Sequence, residues 1–155
     1  MKSRYNYYNK LYGKLITNIT KNEILEAITF AIIIYEDFNR PKLARIIENI
    51  KFRLTNRPHT LGVMQVTTSK LLTDLESVSL GTTKIVDAYK MYLQKPIEKN
   101  QDYYEWSTIS EIISEYNTGK SYSNEVTELT LEIKEEFYKK TNDTLDRNKN
   151  DIKRI

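Results

Sequence analysis

The sequence predicts an all-α fold around one buried central helix, and three observations favour this class. The 155 residues include only 4 glycines and 3 prolines, so few positions interrupt a helix. Apolar residues recur in several stretches at the i, i+3, i+4 spacing of an amphipathic helix. Between Ile24 and Tyr35 they cover almost the whole circumference, which is typical of a helix buried on every side. We therefore expect a single domain over residues 1–155, with its core at about residues 20–140.

The composition excludes several kinds of chemistry. The chain has no cysteine, which rules out disulfides, thiolate metal sites and cysteine nucleophiles. Its single histidine, His59, rules out a metal site built from several histidines, and we expect this residue in a loop. We predict that the protein uses no metal and no cofactor. The 24 basic and 21 acidic residues leave a net charge of +3, which permits attraction to an anionic polymer without requiring it.

The N-terminal segment, residues 1–19, is basic and rich in tyrosine, and it contains no acidic residue. Such a segment either packs its rings on the body of the domain, which we favour, or stacks them on nucleic-acid bases. Nucleic acid is therefore not an expected partner. No apolar stretch follows the basic residues, so no secretory signal is predicted. No stretch in the sequence approaches the roughly 20 apolar residues of a membrane span.

The central helix is predicted to begin at a capping box over residues 20–23, in which Thr20 accepts a backbone hydrogen bond and Glu23 reaches back. It should end near Pro41, because proline restricts the residue before it. A second helix is expected at about residues 41–54.

Beyond this point, we predict helices over residues 67–75, 79–94, 106–116 and 124–140. Residues 96–106 should form a polar loop. Gly119 is expected to end the helix before it in a left-handed C-cap. The charged tail at residues 141–155 should fray.

Three short pieces carry residue types that suit sugar chemistry, and the first is Glu36. It closes the apolar run of the central helix, so burial and the negative end of the helix dipole are expected to raise its pKa. A carboxyl group that stays protonated near neutral pH can donate a proton to a glycosidic oxygen.

The other two pieces pair apolar groups with amides. Gly62 lets backbone approach a ligand, while Met64 and Gln65 offer an apolar contact and a hydrogen-bonding amide. Further along, Tyr116 and Asn117 offer a ring and an amide, with Tyr122 three residues beyond the following glycine. Sugars have apolar faces and many hydroxyls, so such pairs favour a saccharide ligand.

In this order the pieces resemble the lysozyme superfamily, above all its soluble lytic transglycosylase and goose-type lysozyme branch. That family has a catalytic Glu at the end of a buried helix, a G-[LIV]-M-Q-[IV] segment and a later [AE]-Y-N-x-G segment. Here these read Glu36, G-V-M-Q-V over residues 62–66 and E-Y-N-T-G over residues 115–119. Residues 77–81 resemble the family's I-x-x-G step before its central helix. The resemblance covers about residues 20–137.

The sequence also departs from this pattern after the catalytic Glu. Asp37 stands where the family usually has serine, and the interval from Glu36 to Gly62 is longer than in the simplest members. Glu36-Asp37 also resembles the start of the motif in the glycosyltransferase branch of this fold, whose other motifs are not evident. We interpret Asp37 as structural, paired with Arg40 or Arg57.

The resemblance implies a lysozyme-like domain that cleaves the β-1,4 bond between N-acetylmuramic acid and N-acetylglucosamine. Its partner would be the peptidoglycan strand, and it would act at the cell wall. Glu36 would serve as general acid and then as base. The substrate-binding residues would be Gly62, Met64, Gln65, Tyr116, Asn117 and Tyr122. Because no second carboxylate is evident, attack by the sugar's own C6 hydroxyl is favoured over hydrolysis by water.

Two other functions remain open at this point. The chain is alternatively a catalytically inactive lysozyme-like binding module within a phage or secretion assembly, whose partner proteins the sequence does not specify. A weaker hypothesis is a helical nucleic-acid-binding protein that uses residues 1–19, and steep salt dependence of binding would support it.

Overall fold

The computed structural model describes residues 1–39, 59–68, 72–95 and 105–138, and most of them are helical. This part of the chain forms five helices and one antiparallel hairpin: α1 (Lys2–Thr20), α2 (Glu23–Asn39), β1 (His59–Leu61), β2 (Val66–Thr68), α3 (Asp74–Gln94), α4 (Glu105–Tyr116) and α5 (Lys120–Phe137). The predicted all-α character is confirmed here, with the short hairpin as an addition. Three predicted segments fall outside the described residues: the helix at residues 41–54, the tail at residues 141–155 and most of the polar loop at residues 96–106.

Helix α2 is the buried centre that the apolar pattern predicts. Ile24, Leu25 and Phe30 point to different sides of the helix, and none of them is more than 1% exposed. Helices α1, α3 and α5 pack around it. Since each such side chain contributes roughly 1.5–3 kcal/mol on burial, α2 is a major source of stability. A polar group at the end of this helix is therefore held by packing on several sides.

The basic, tyrosine-rich N-terminus forms α1 and packs its rings on the domain. Tyr5 and Tyr8 are both buried. The Tyr5 ring stacks on Phe137 with the centroids 3.7 Å apart, and its centroid lies 4.9 Å from that of Phe30. The Tyr5 hydroxyl donates to the hydroxyl of Tyr138 at 3.1 Å. These contacts agree with the packing interpretation of this segment.

The junction between α1 and α2 differs from the predicted capping box. Thr20 is the last residue of α1, and its hydroxyl donates to the Ile16 carbonyl at 3.0 Å. Lys21 then reverses the chain in the left-handed region at φ 49°. Asn22 caps α2 instead, since its side-chain oxygen accepts two backbone N–H groups of the first turn at 2.9 and 3.1 Å. The Thr20 prediction was wrong because α1 continues further than the sequence indicates.

The predicted helix at residues 67–75 is wrong at its start, while residues 69–71 lie outside the described residues and residues 74 and 75 belong to α3. Val66–Thr68 forms β2 and pairs antiparallel with β1, with Leu61 opposite Val66. Consecutive β-branched residues favour extended backbone, and this preference outweighs the helical spacing of the segment. His59, expected in a loop, lies in β1.

Helix α3 begins at Asp74, earlier than the predicted residue 79. Its start is set by a capping box in which the Thr73 hydroxyl accepts the Glu76 N–H at 3.2 Å. In return the Glu76 carboxylate accepts the Thr73 N–H at 2.8 Å.

The link between α4 and α5 is shorter than predicted. Helix α4 ends at Tyr116 as expected, but α5 already begins at Lys120. Gly119 is the N-cap of α5 with φ −69°, so it does not adopt the predicted left-handed C-cap. The side-chain oxygen of Asn117 accepts the Gly119 N–H at 3.0 Å and turns the chain without a left-handed residue.

Across these described ranges, no helix is both long enough and apolar enough to cross a bilayer.

Candidate functional site

Glu36 lies in the last turn of α2 and exposes only 9% of its surface. Its neighbour Asp37 is held elsewhere, since the Asp37 Oδ2 accepts a hydrogen bond from the Arg4 guanidinium at 2.8 Å. Asp37 is therefore an ion-paired residue, as interpreted, with Arg4 as a partner; Arg40 and Arg57 lie outside the described residues. The two adjacent acids occupy different environments because successive helical residues point about 100° apart.

The turn between β1 and β2 contains two residues with left-handed backbone. Gly62 has φ 75° and Gln65 has φ 51°. The Gly62 carbonyl accepts both the backbone N–H and the side-chain amide N–H of Gln65, at 3.2 and 2.9 Å. A Cβ atom at residue 62 would lie only 2.2 Å from the Cβ of Ser77. Glycine is thus required here by both the backbone angle and the contact with α3.

Met64 anchors this turn in the core. Its side chain is fully buried and packs on Gly81 of α3, where a Cβ atom would lie 2.7 Å from the Met64 sulfur. Its backbone N–H donates to the Ser77 hydroxyl at 3.1 Å. Its carbonyl accepts the hydroxyl of Tyr116 at 2.6 Å. The turn is therefore fastened to both α3 and α4.

Tyr116, the last residue of α4, connects three parts of the site. Besides the bond to Met64, its backbone carbonyl accepts a hydrogen bond from the Lys84 ammonium at 2.7 Å. The same ammonium lies 4.6 Å from the centre of the Tyr116 ring. Burial, and then the negative charge of Glu36, raise the pKa of Tyr116 well above its ordinary value. Its hydroxyl therefore keeps its proton and remains a donor.

Tyr122 of α5 lies near Glu36. Its ring meets that of Tyr35 edge-on with the centroids 5.0 Å apart. Among the described residues, its buried hydroxyl has no hydrogen bond of good geometry. Burial raises the pKa of Tyr122, and the negative charge of Glu36 raises it further. Tyr122 is therefore close to the carboxylate that the sequence singled out.

A cavity of about 500 Å³ opens where the hairpin, α3 and α4 meet the end of α2. Four of the predicted site residues line it together: Glu36, Gln65, Tyr116 and Asn117. These residues come from three separate stretches of the chain. Residues of the three motifs, which are far apart in the sequence, therefore lie close together in the folded chain.

The other three predicted site residues are not part of this lining. Gly62 and Met64 pack against α3, and Tyr122 lies near Glu36.

Five further residues line the cavity without having been predicted: Val66, Thr67, Lys84, Glu115 and Thr118. Val66, Glu115 and Thr118 belong to the quoted motifs, which therefore indicated their vicinity. Lys84 had no such indication, because its place depends on how α3 packs against α4.

The charged lining residues have different partners. Glu115 is 3.3 Å from the Lys95 ammonium, which also binds Glu111 at 2.7 Å. Partial burial lowers the pKa of Lys84. Within the described ranges, no three acidic or histidine side chains come together as a metal site would require.

The cavity therefore offers a buried carboxyl group, two amides, an aromatic ring and one ammonium. Such a mixture of apolar surface and a few polar groups is typical of a small-molecule or saccharide site. No protein-family model, curated protein or solved structure matches this chain.

Proposed function

We propose that this chain is a lysozyme-like enzyme of the lytic transglycosylase type, which cleaves the β-1,4 glycosidic bond of peptidoglycan in the cell wall. One observation carries the proposal: Glu36, Gln65, Tyr116 and Asn117 line a single cavity although the sequence separates them. An unrelated acid at a helix end has no reason to meet both of the motifs that the resemblance quotes.

In this proposal Glu36 performs both proton transfers. Its protonated carboxyl donates to the glycosidic oxygen as the bond from that oxygen to C1 breaks. The carboxylate then accepts the proton of the C6 hydroxyl, whose oxygen bonds to C1 and gives a 1,6-anhydro sugar. The burial of Glu36, which exposes only 9% of its surface, supports the first step because little water competes for the proton that it donates.

Gln65 and Asn117 would orient the hydroxyl and acetamido groups of the sugar. Each amide is already held by its own loop, Gln65 through the Gly62 carbonyl and Asn117 through the Gly119 N–H. Amides held in this way lose little further freedom when a ligand binds. The Tyr116 ring supplies apolar surface for a sugar face.

The choice between the transglycosylase and hydrolase reactions depends on whether a second carboxylate is available in the cavity. Hydrolases of this kind generally use two carboxyl groups. Glu115 also lines the cavity, but its carboxylate is engaged by Lys95, and Asp37 is engaged by Arg4. We therefore propose that the C6 hydroxyl, rather than an activated water, attacks C1.

The test is cleavage of purified peptidoglycan, with the released fragments analysed by mass spectrometry. Glu36→Gln should lower the rate by about 100-fold or more, because it removes the acid and the base together. Asp37→Asn, which changes the neighbouring acid outside the cavity, is the matched control and should retain activity. Glu115→Gln should also retain it, with products lighter by one water than those of hydrolysis.

Two results would contradict this proposal. Undiminished cleavage by a folded Glu36→Gln variant would exclude Glu36 as the catalytic group. Absence of cleavage by the wild-type chain, with peptidoglycan binding retained, would instead support the inactive binding module.

A further inference from the structure

Lys84 is a charged group in the cavity for which the glycan-cleaving reaction has no use. It lies on α3, and its ammonium donates to the Tyr116 carbonyl at 2.7 Å. Its side chain lines the same cavity as Glu36, Gln65 and Asn117. The bond to Tyr116 places this cation at the end of α4, in the cavity that Asn117 also lines.

The ammonium has donors that the protein does not use. A lysine ammonium carries three N–H donors, and the Tyr116 carbonyl accepts one of them. Among the described residues, no carboxylate lies within ion-pairing distance of Lys84, whereas Glu115 of the same cavity is paired with Lys95. The Lys84 charge is therefore neutralised by no neighbour in this part of the chain.

A purely structural role explains only part of this arrangement. A cation at the carbonyl end of α4 interacts favourably with the helix dipole, and the Tyr116 ring adds a cation–π contact. Neither contact needs the ammonium to face a cavity. Lys84 is exposed as a residue, but the protein atoms around its ammonium lower its pKa, and no opposite charge among its described neighbours offsets this effect.

We propose that Lys84 binds a carboxylate carried by the saccharide and so makes the cavity selective for acidic over neutral glycans. This inference rests on the proposed function, since it assigns a specificity-determining residue to the same site. The amides and the ring recognise features that all N-acetylated sugars share. Lys84 adds the one interaction that a neutral chitin oligomer cannot make.

Two carboxylates of peptidoglycan have this chemistry. One is the lactyl carboxylate of N-acetylmuramic acid, which is free only where no stem peptide is attached. The other kind lies on the stem peptide itself. Saccharides of equal length with and without the peptide therefore distinguish the two sources.

The experiment measures binding by titration calorimetry in the Glu36→Gln background, which prevents turnover. The probes are a chitin oligomer and the two muramic-acid saccharides. Lys84→Met should weaken binding of at least one acidic saccharide by about tenfold or more, since a charge-assisted hydrogen bond is lost. Binding of the chitin oligomer should change less than about twofold. Lys84→Arg, which keeps the charge, should retain the preference.

Lys90→Met is the matched control, because Lys90 lies on the same helix and pairs with Asp87 at 3.3 Å outside the cavity lining. It should leave all affinities unchanged. If Lys84→Met weakens chitin and acidic saccharides equally, Lys84 acts only by supporting Tyr116 and the inference is overturned. If the protein without the Lys84 change binds no saccharide, both this inference and the proposed function fail.

Discussion

The geometry of the site depends on Gly62, because no residue with a Cβ atom fits at this position. The turn of the hairpin needs a positive φ at this residue and rests directly on Ser77. The same turn presents Gln65 to the cavity and carries the Met64 carbonyl that binds Tyr116. A change at Gly62 therefore alters the position of the cavity wall as well as the stability of the fold.

We predict that Gly62→Ala destabilises the protein by about 2–5 kcal/mol, because left-handed strain adds to a steric overlap with Ser77. Chemical denaturation followed by circular dichroism measures this loss. Gly119→Ala is the control, since Gly119 has φ −69° and a Cβ there would lie 3.3 Å from its neighbours. It should cost about 1 kcal/mol or less. Equal losses for the two variants would show that the contact with Ser77 is unimportant.

Among the elements, α3 is the platform on which the site is assembled. Ser77, Gly81 and Lys84 lie on one face of this helix, at i, i+4 and i+7. Ser77 binds the hairpin turn, Gly81 receives the Met64 side chain, and Lys84 holds the end of α4. The capping box at Thr73 lies just before this face and fixes where the helix begins.

Thr73→Ala should therefore destabilise the protein by about 1 kcal/mol through loss of the cap. The Thr73 hydroxyl also donates to the Glu76 carboxylate at 2.8 Å, and the backbone and side-chain hydrogen bonds from Thr73 lower the pKa of that carboxyl. The part of the loss that comes from this hydroxyl–carboxylate bond should therefore fade as the pH falls through that lowered pKa. Thr83→Ala on the same helix is the control, because Thr83 is exposed and alanine is a better helix former. Chemical denaturation at neutral and at acidic pH measures the free energy of unfolding of both variants. A Thr73→Ala loss that persisted unchanged in acid would contradict this account.

Across the whole molecule, two separate clusters of partly buried tyrosines lie along α2 and α5. Near the cavity Tyr122 packs on Tyr35, and in the other half of the helix pair Tyr138 donates to Glu26 at 3.3 Å. Burial is the leading cause of a strongly raised pKa at Tyr122 and Tyr138, as it is at Tyr116. Both halves of the domain therefore respond to alkaline pH.

We expect the free energy of unfolding to fall steeply above about pH 10. The folded state keeps protons on Tyr116, Tyr122 and Tyr138, while the unfolded chain loses them near the ordinary tyrosine pKa of about 10. Their contribution is thus fully present below that pH and is lost above it. The lowered pKa of Lys84 acts in the opposite sense, but it is one group against three.

Denaturation at a series of pH values, with phenolate absorbance recorded in parallel, measures this effect. Part of the absorbance should appear only when the protein unfolds. Tyr138→Phe should make the alkaline fall shallower, because it removes one of the contributing hydroxyls. A constant free energy of unfolding from about pH 9 to 11 would contradict the prediction.

Much of the fold followed from local patterns, and the errors occurred where local patterns compete. The apolar run from Ile24 to Tyr35 predicted α2 correctly, because apolar residues on every side over this length are typical of a buried helix. Thr20 and Asn22 are both good N-caps, and the sequence does not reveal that α1 extends through Thr20. At residues 67 and 68 a predicted helical spacing coincided with β-branched residues, and pairing with β1 favoured the strand.

The amino-acid order was sufficient to indicate that Glu36 ends a buried helix and that two later motifs belong with it. Those features are local, since they depend on the spacing of apolar residues and on short runs of particular side chains. The fold alone places Lys84 in the cavity, buries Met64 completely in the core and brings Tyr122 close to Glu36. These positions depend on how α3, α4 and α5 pack around α2, and the distances between helices arise from side-chain packing that no local spacing encodes.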